Sequence, residues 1–272
     1  MLKKISKAFY FIFIPKISLA IITVILLAVG IIPLYYLWFT LFMWIMVCGL
    51  GIACGYHRIF SHKTHDIPRW KENIILFFAV FAGQGPSIFW VAAHRGYHHP
   101  HADKDKDLHS PVVKGYWHAF YGWIKQITES NVVVNIKYSS DLMRKSNHVW
   151  FFNNYMKILW GVPLLLCLID WKLAFTGFFL VTGFFGVIQD NLINVFGHQK
   201  MLVGYRNFKT DDNSHNNPIM GLITWGQGWH NNHHHAPGNY DFGKGTSGKW
   251  WEFDPCILFL PFVGKGKNYQ SR

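Results

Sequence analysis

From Ile17 to Tyr56 the chain carries no charged side chain. A helix needs roughly 20 apolar residues to cross the hydrocarbon core of a bilayer. Pro33 falls near the middle of this stretch and interrupts any single long helix. The stretch is therefore expected to form two membrane helices joined by a tight turn at Ile31–Leu34. It is far longer than the roughly 7–15-residue core of a signal peptide and shows no cleavage pattern. A second apolar block runs from Val149 to Phe196, interrupted by Asp170, Trp171 and Lys172, and predicts a second hairpin. The expected fold class is an all-α integral membrane protein with four transmembrane helices in two hairpins. The spans fall at roughly 17–32, 34–55, 152–169 and 173–196, and a helical cytoplasmic cap, 57–148 and 198–272, completes a single domain.

Charge sets the expected topology. Lys3, Lys4 and Lys7 precede the first span, and the turn near Pro33 carries no charge. Between the hairpins lie Arg58, Lys63, Arg69, Lys71, Arg95, Lys104, Lys106, Lys114, Lys125, Lys137, Arg144 and Lys145. The second turn offers only Lys172. Basic loops stay cytoplasmic, so both termini and the middle of the chain are placed on that side. A net charge of +12 invites a nucleic-acid partner. A basic face against anionic lipid headgroups accounts for the same charge, and no nucleic acid is expected. Cys48, Cys54, Cys167 and Cys256 are scattered without a CxxC pair, so neither a disulfide framework nor a thiolate zinc site is indicated. The segment 73–93 is apolar enough to tempt a fifth crossing, but Gln84, Gly85 and Pro86 break it. It is expected to lie at the interface or dip in and return.

The sequence holds 16 histidines, and most fall in three groups. "GYHRIFSH" carries His57 and His62, and "AHRGYHHPHAD" carries His94, His98, His99 and His101. "GWHNNHHHAPGNYDFG" carries His230, His233, His234 and His235. Core packing gives no reason to gather imidazoles this densely; a solvated tract or a metal site does. Residues three or four apart share a helix face, so His94 with His98, and His230 with His233 and His234, are expected to converge. His57 and His62 are five apart, about 140° around an α-helix of 3.6 residues per turn. They converge best if the helix ends or unwinds between them. Asn194 and His198 add a further pair at the cytoplasmic end of the fourth span. Imidazole suits zinc, copper, iron and nickel alike, and spacing does not separate them. Nine well-placed histidines exceed the needs of one ion and fit two. The chain has neither HExxH nor the ExxH pair of carboxylate-bridged bundles. A histidine-rich pair of metals beside apolar helices points to a hydrocarbon substrate.

"HRIFSH", "HRGYHH" and "GWHNNHHH" resemble the three histidine boxes of integral-membrane fatty acid desaturases, with the acyl-CoA Δ9 (stearoyl-CoA desaturase) branch looking most similar. "GYHRIFSHKTH", "DLHSP", "DNSHNN" and "KWWEFDP" extend the resemblance from about Gly51 to Asp254. It implies two iron ions (Fe2+) held by His57, His62, His94, His98, His99, His198, His230, His233 and His234, with Asn194 holding a water. His65, His101, His109, His118, His148, His215 and His235 fall outside those positions. The sequence departs from the family pattern twice. Its second box reads HxxxHH where the family usually has HxxHH, and the four-residue offset to His98 keeps His94 in the set. Gln227 stands where the third box usually has Glu, and an amide supplies no carboxylate charge behind the metals. Asp107 of "DLHSP" is a further residue expected behind the ligands.

The resemblance implies oxygen-dependent insertion of a cis double bond, at Δ9, into a saturated acyl group carried on coenzyme A or a lipid. Trp90, Trp225 and Trp229 are candidates to line the acyl tunnel. The chain has no haem-attaching CxxCH motif, and the resemblance implies electrons from an external donor such as cytochrome b5 or a ferredoxin. The membrane is a bacterial inner membrane or the endoplasmic reticulum. A related di-iron membrane hydroxylase is the alternative, since both reactions share the first hydrogen abstraction. A histidine-rich metal transporter or sensor requires polar residues inside the spans, and the first hairpin offers almost none.

Overall fold

The computed structural model describes residues 9–126, 135–264 and 266. The basic residues Lys3, Lys4 and Lys7, expected before the first span, lie outside the described residues. Among the described residues the architecture is helical, and strand-like pairing is limited to isolated bridges that join Asn216 to Tyr205 and Trp229.

Three helical stretches are long and apolar enough to cross a membrane: Tyr10–Ala28 (α1), Leu34–Ser61 (α2) and a third over Ser146–Phe196. The third has 51 residues, which at 1.5 Å per residue would extend about 77 Å. A hydrocarbon core is only about 30 Å thick. The backbone leaves helical geometry at Asp170, with φ −150° and ψ 99°. Its Oδ1 accepts the N–H groups of Lys172 (2.9 Å) and Leu173 (3.4 Å) and so caps the limb that follows. The Tyr36 hydroxyl donates to Asp170 Oδ2 at 2.8 Å, which binds the turn between α1 and α2 to this second break.

The helices begin and end differently from the expected spans. α1 starts ahead of Ile17 and takes Lys16 inside the protein, fully buried. The ammonium is accommodated there because Nζ donates to Leu159 O (3.3 Å) and lies 4.0 Å over the Trp160 ring. α2 continues to Ser61 and carries the first histidine box on its own last turns.

The ambiguous segment 73–93 forms two helices, Arg69–Val80 (α3) and Ser87–Ala93 (α4), separated at the Gln84–Pro86 break. Gly83 and Gly85 take φ of +74° and +93° there, a region that favours glycine. α3 lies directly on α2, since a Cβ on Gly51 would sit 2.8 Å from the Ala79 backbone. In the first turn of α3, the buried Glu72 carboxylate accepts from Lys145 and Asn147, which ties α3 to the start of the third long helix. The core of Val47, Ile52, Ile75, Leu76, Val91 and Leu159 joins these helices into one unit.

Candidate metal centre

The first two histidine boxes sit on helical turns of i→i+5 type. His62 N–H donates to His57 O at 3.2 Å, and His99 N–H donates to His94 O. Wide turns of this kind are frequent at functional sites. They place residues five apart above one another, so the His57 and His62 rings come to 5.2 Å between centroids and those of His94 and His99 to 4.6 Å. This resolves the HxxxHH spacing and corrects the expectation for it. His94 converges with His99, and His98, four residues on, turns to a different group.

The third box forms a short helix, His230–His235. Its two asparagines fix it in place. Asn231 Oδ1 accepts the backbone N–H groups of Asn207 and Phe208, each at 2.8 Å. Asn232 Nδ2 donates to Phe242 O (2.8 Å) and Glu252 Oε2 (2.7 Å). The motif thus alternates histidines for the centre with amides for the scaffold. Arg58, next to His57, binds Asp254 at 2.7 Å with both side chains fully buried, and donates to Tyr240 O at 2.8 Å. Arg95, next to His94, reaches the carbonyls of Phe60 and Ser61 at the end of α2, and Asp141.

All nine histidines singled out in the sequence fall into two groups, His57, His62, His94, His99 and His233, and His98, His198, His230 and His234. Within each group the candidate ligand nitrogens all lie within 4.8 Å of one another. Nε2 atoms approach at 3.0 Å for His57 and His233, 2.9 Å for His62 and His94, 2.8 Å for His99 and His233, and 2.9 Å for His198 and His230. His198 Nδ1 contacts Asp103 at 3.0 Å, His98 Nδ1 contacts Asp107 at 3.3 Å, and His234 Nδ1 contacts Asp212 at 2.7 Å. A carboxylate accepts, so each of these Nδ1 atoms carries the proton and each Nε2 presents a bare lone pair.

Convergent imidazole nitrogens, three of them with lone pairs turned inward by a carboxylate behind, suit a shared cation. His234 Nε2 is buried with no hydrogen-bond partner, as are the Nδ1 atoms of His57, His230 and His233. Protons are a poor substitute for a metal. Burial pushes His62 down to about 3 and His234 to about 4, and holds His94, His99, His230 and His233 well below the usual imidazole value. Burial opposes charge on His198 too, but Asp103 more than offsets it and moves that imidazole upward. Neutral, convergent imidazoles are the donor set of a transition-metal site, so the residues present fit two metal ions.

The other predicted residues are distributed as follows. Asp107 is buried behind His98. Gln227 is buried, with its backbone N–H donating to Thr224 O at 3.3 Å. Asn194 donates its amide to Ala119 O at 3.3 Å. Trp90 stacks on His94, with centroids 5.0 Å apart, whereas Trp225 packs on Trp44 and Trp229 binds Phe253 O through its indole N–H. His235 lies outside both groups, stacked on Phe208 at 3.8 Å. Asp103 and Asp212 were not singled out in the sequence. Asp103 adjoins the second box in "HHPHAD", and Asp212 opens the quoted "DNSHNN" motif away from any box.

Three helices long and apolar enough to cross a membrane, beside clustered imidazoles that fit two metal ions, suit a membrane-bound metal enzyme. The fatty acid desaturase family model matches residues 34–240, and the chain belongs to that family. It is 33% identical over 249 residues to the sn-2 palmitoyl-lipid 9-desaturase of Nostoc, across 88% of this chain and 84% of the relative. It is 31% identical over 246 residues to the Delta-9 acyl-lipid desaturase 2 of Arabidopsis thaliana, across 85% and 75%. It is 30% identical over 231 residues to the sn-1 stearoyl-lipid 9-desaturase of Synechocystis, across 83% and 69%. The protein is an oxidoreductase of the desaturase class, related to the Δ9 branch.

Proposed function

We propose that this protein introduces a cis double bond at Δ9 into a saturated acyl group esterified in a membrane lipid. One iron is held by His57, His62, His94, His99 and His233, and a second by His98, His198, His230 and His234. The observation that carries this reading is the convergence of nine imidazoles, five of them on buried residues, from four distant segments. The names of the relatives, which specify lipid 9-desaturases, support the substrate and the position of the bond.

When bound, the irons supply the oxygen-activating and hydrogen-removing power that no side chain here possesses. The chain's own residues prepare the site. Burial keeps the imidazoles neutral and available as donors. Asp103, Asp107 and Asp212 fix which nitrogen of their histidines points inward. Trp90, oriented by the bond from its indole N–H to Gln84 Oε1 (2.8 Å), covers His94 and keeps bulk water from that side. Asn194, four residues ahead of His198 in the chain, would hold a water, as in the family pattern. The two electrons per turnover come from an external acidic carrier of the cytochrome b5 or ferredoxin kind, drawn to a protein of net charge +12.

Four spans suit this site. The break at Asp170 divides the long helix, and its bond to Tyr36 brings both turns to one end. The histidines follow the opposite ends of these helices, and the basic residues between the hairpins support a cytoplasmic site. Expression in a desaturase-deficient host, followed by gas chromatography of lipid-derived acyl groups, tests the reading. Restored 9-monoenoic chains support it; hydroxylated chains, or an unchanged profile with abundant protein, overturn it.

A further inference from the structure

The two histidine groups are backed by different surroundings. Three of the four histidines in the smaller group have a carboxylate on Nδ1: His98 with Asp107, His198 with Asp103 and His234 with Asp212. These carboxylate side chains are 0%, 4% and 12% exposed. Among the described residues, no carboxylate lies within ion-pair distance of His57, His62, His94, His99 or His233. In that larger group the Nδ1 atoms of His57 and His233 are buried without a partner.

The carboxylates are held in place independently of the histidines. Asp103 adopts a left-handed backbone, φ +60°, and its Oδ2 also accepts Asn213 N–H at 2.7 Å. Asp107 accepts the N–H groups of Asp103 and His109, each at 3.2 Å. Asp212 Oδ1 accepts Ser214 N–H at 2.9 Å and the Thr210 hydroxyl at 2.7 Å.

We propose that the two metal positions are unequal, and that the position formed by His98, His198, His230 and His234 binds its divalent ion more tightly and releases it last. This rests on the two-metal reading above. A carboxylate on the far nitrogen raises the basicity of a ligating imidazole, and its charge offsets that of the ion. Losing one such partner typically lowers metal affinity about 10–100-fold. The larger group has one more imidazole, which favours it. That neutral donor takes a place a water would otherwise fill, while the smaller group has three anions in its favour, Asp107 buried and Asp103 and Asp212 largely covered. Asp103, Asp107 and Asp212 are thus positioning residues that rank the two sites.

The test is iron retention by the full-length protein in detergent. Protein loaded with ferrous iron is exposed to a graded concentration of a ferrous chelator, and iron per chain is measured by mass spectrometry. Two steps of equal size are expected, the second at roughly tenfold higher chelator or more. His99→Ala should remove only the weakly held ion and His230→Ala only the tightly held one. Asp103→Asn and Asp212→Asn keep an oxygen for the backbone donors, and each should shift the second step about 10–100-fold toward lower chelator. Asp170→Asn, at the far turn, should leave both steps in place. Size-exclusion profiles matching wild type establish that the variants are folded. Two ions lost in one step by the wild-type protein, or carboxamide variants whose second ion is lost at the wild-type chelator concentration, overturn the ranking and leave the two-metal reading intact. Wild-type protein that saturates below two irons overturns both.

Discussion

His233 Nε2 lies 2.8 Å from His99 Nε2, although 134 residues separate the two along the chain. The same His233 nitrogen lies 3.0 Å from His57 Nε2. One side chain of the third box therefore binds the first two boxes together, whereas its neighbours His230 and His234 serve the other group. His233→Ala should abolish desaturation and lower iron content. His235→Ala, which loses only stacking on Phe208, should retain both irons. Iron analysis of the two purified variants decides this; full iron content in His233→Ala contradicts the grouping.

The guanidinium of Arg58 ties α2 to the segment that follows the third box. It binds Asp254 and the Tyr240 carbonyl with no exposure to solvent. Removing one partner of a buried ion pair leaves the other charge uncompensated and costs about 3–5 kcal/mol. Arg58→Ala should therefore unfold at markedly lower temperature in detergent. An unchanged melting curve contradicts the assignment of this pair to the scaffold.

Gly96 sits in the wide turn that brings His94 over His99. A Cβ at this position would overlap the ring of Tyr138, whose carbonyl receives Arg95 Nη1 at 3.1 Å. Gly96→Ala should cost about 1–3 kcal/mol by overpacking and loosen iron held by the His94 group. Equal stability and equal iron content would show that Tyr138 yields freely.

Acid sensitivity has a defined sign at Asp141. Burial raises its pKa, but the ion pairs with Arg95 and Lys63 outweigh burial and bring it down to about 2 from 3.8. A depressed carboxylate contributes stability that is complete above the unfolded value and fades as pH falls toward the folded one. Wild-type stability should thus drop between about pH 4 and 2 partly through this group. Asp141→Asn should be less stable at pH 7 and show a shallower decline over that window. Parallel wild-type and variant curves contradict it.

Much of this arrangement is legible along the chain because it is local. The break at Gln84–Pro86 follows from residues that disfavour a helix, and the break at Asp170 follows from a charged interruption of an apolar run. The nine histidines stand out by density. Which histidines share a group is not legible: the first two boxes use wider turns than α-helical spacing assumes, and in the third His233, expected to converge with His230 and His234, joins the other group. Asp107 is legible beside its box, whereas Asp103 and Asp212 are not, for a different reason. The contact of Asp103 with His198 spans 95 residues, and only the folded chain brings them together. Lys16 stands at the edge of the uncharged run in the sequence, yet its ammonium finds a carbonyl and an indole inside the bundle.

If imidazoles from four distant segments build one two-metal centre, crystals of the iron-loaded protein should reveal it in anomalous diffraction at the iron edge. Two peaks per chain are expected, one among His57, His62, His94, His99 and His233 and one among His98, His198, His230 and His234. One peak, or iron bound away from these imidazoles, would contradict it.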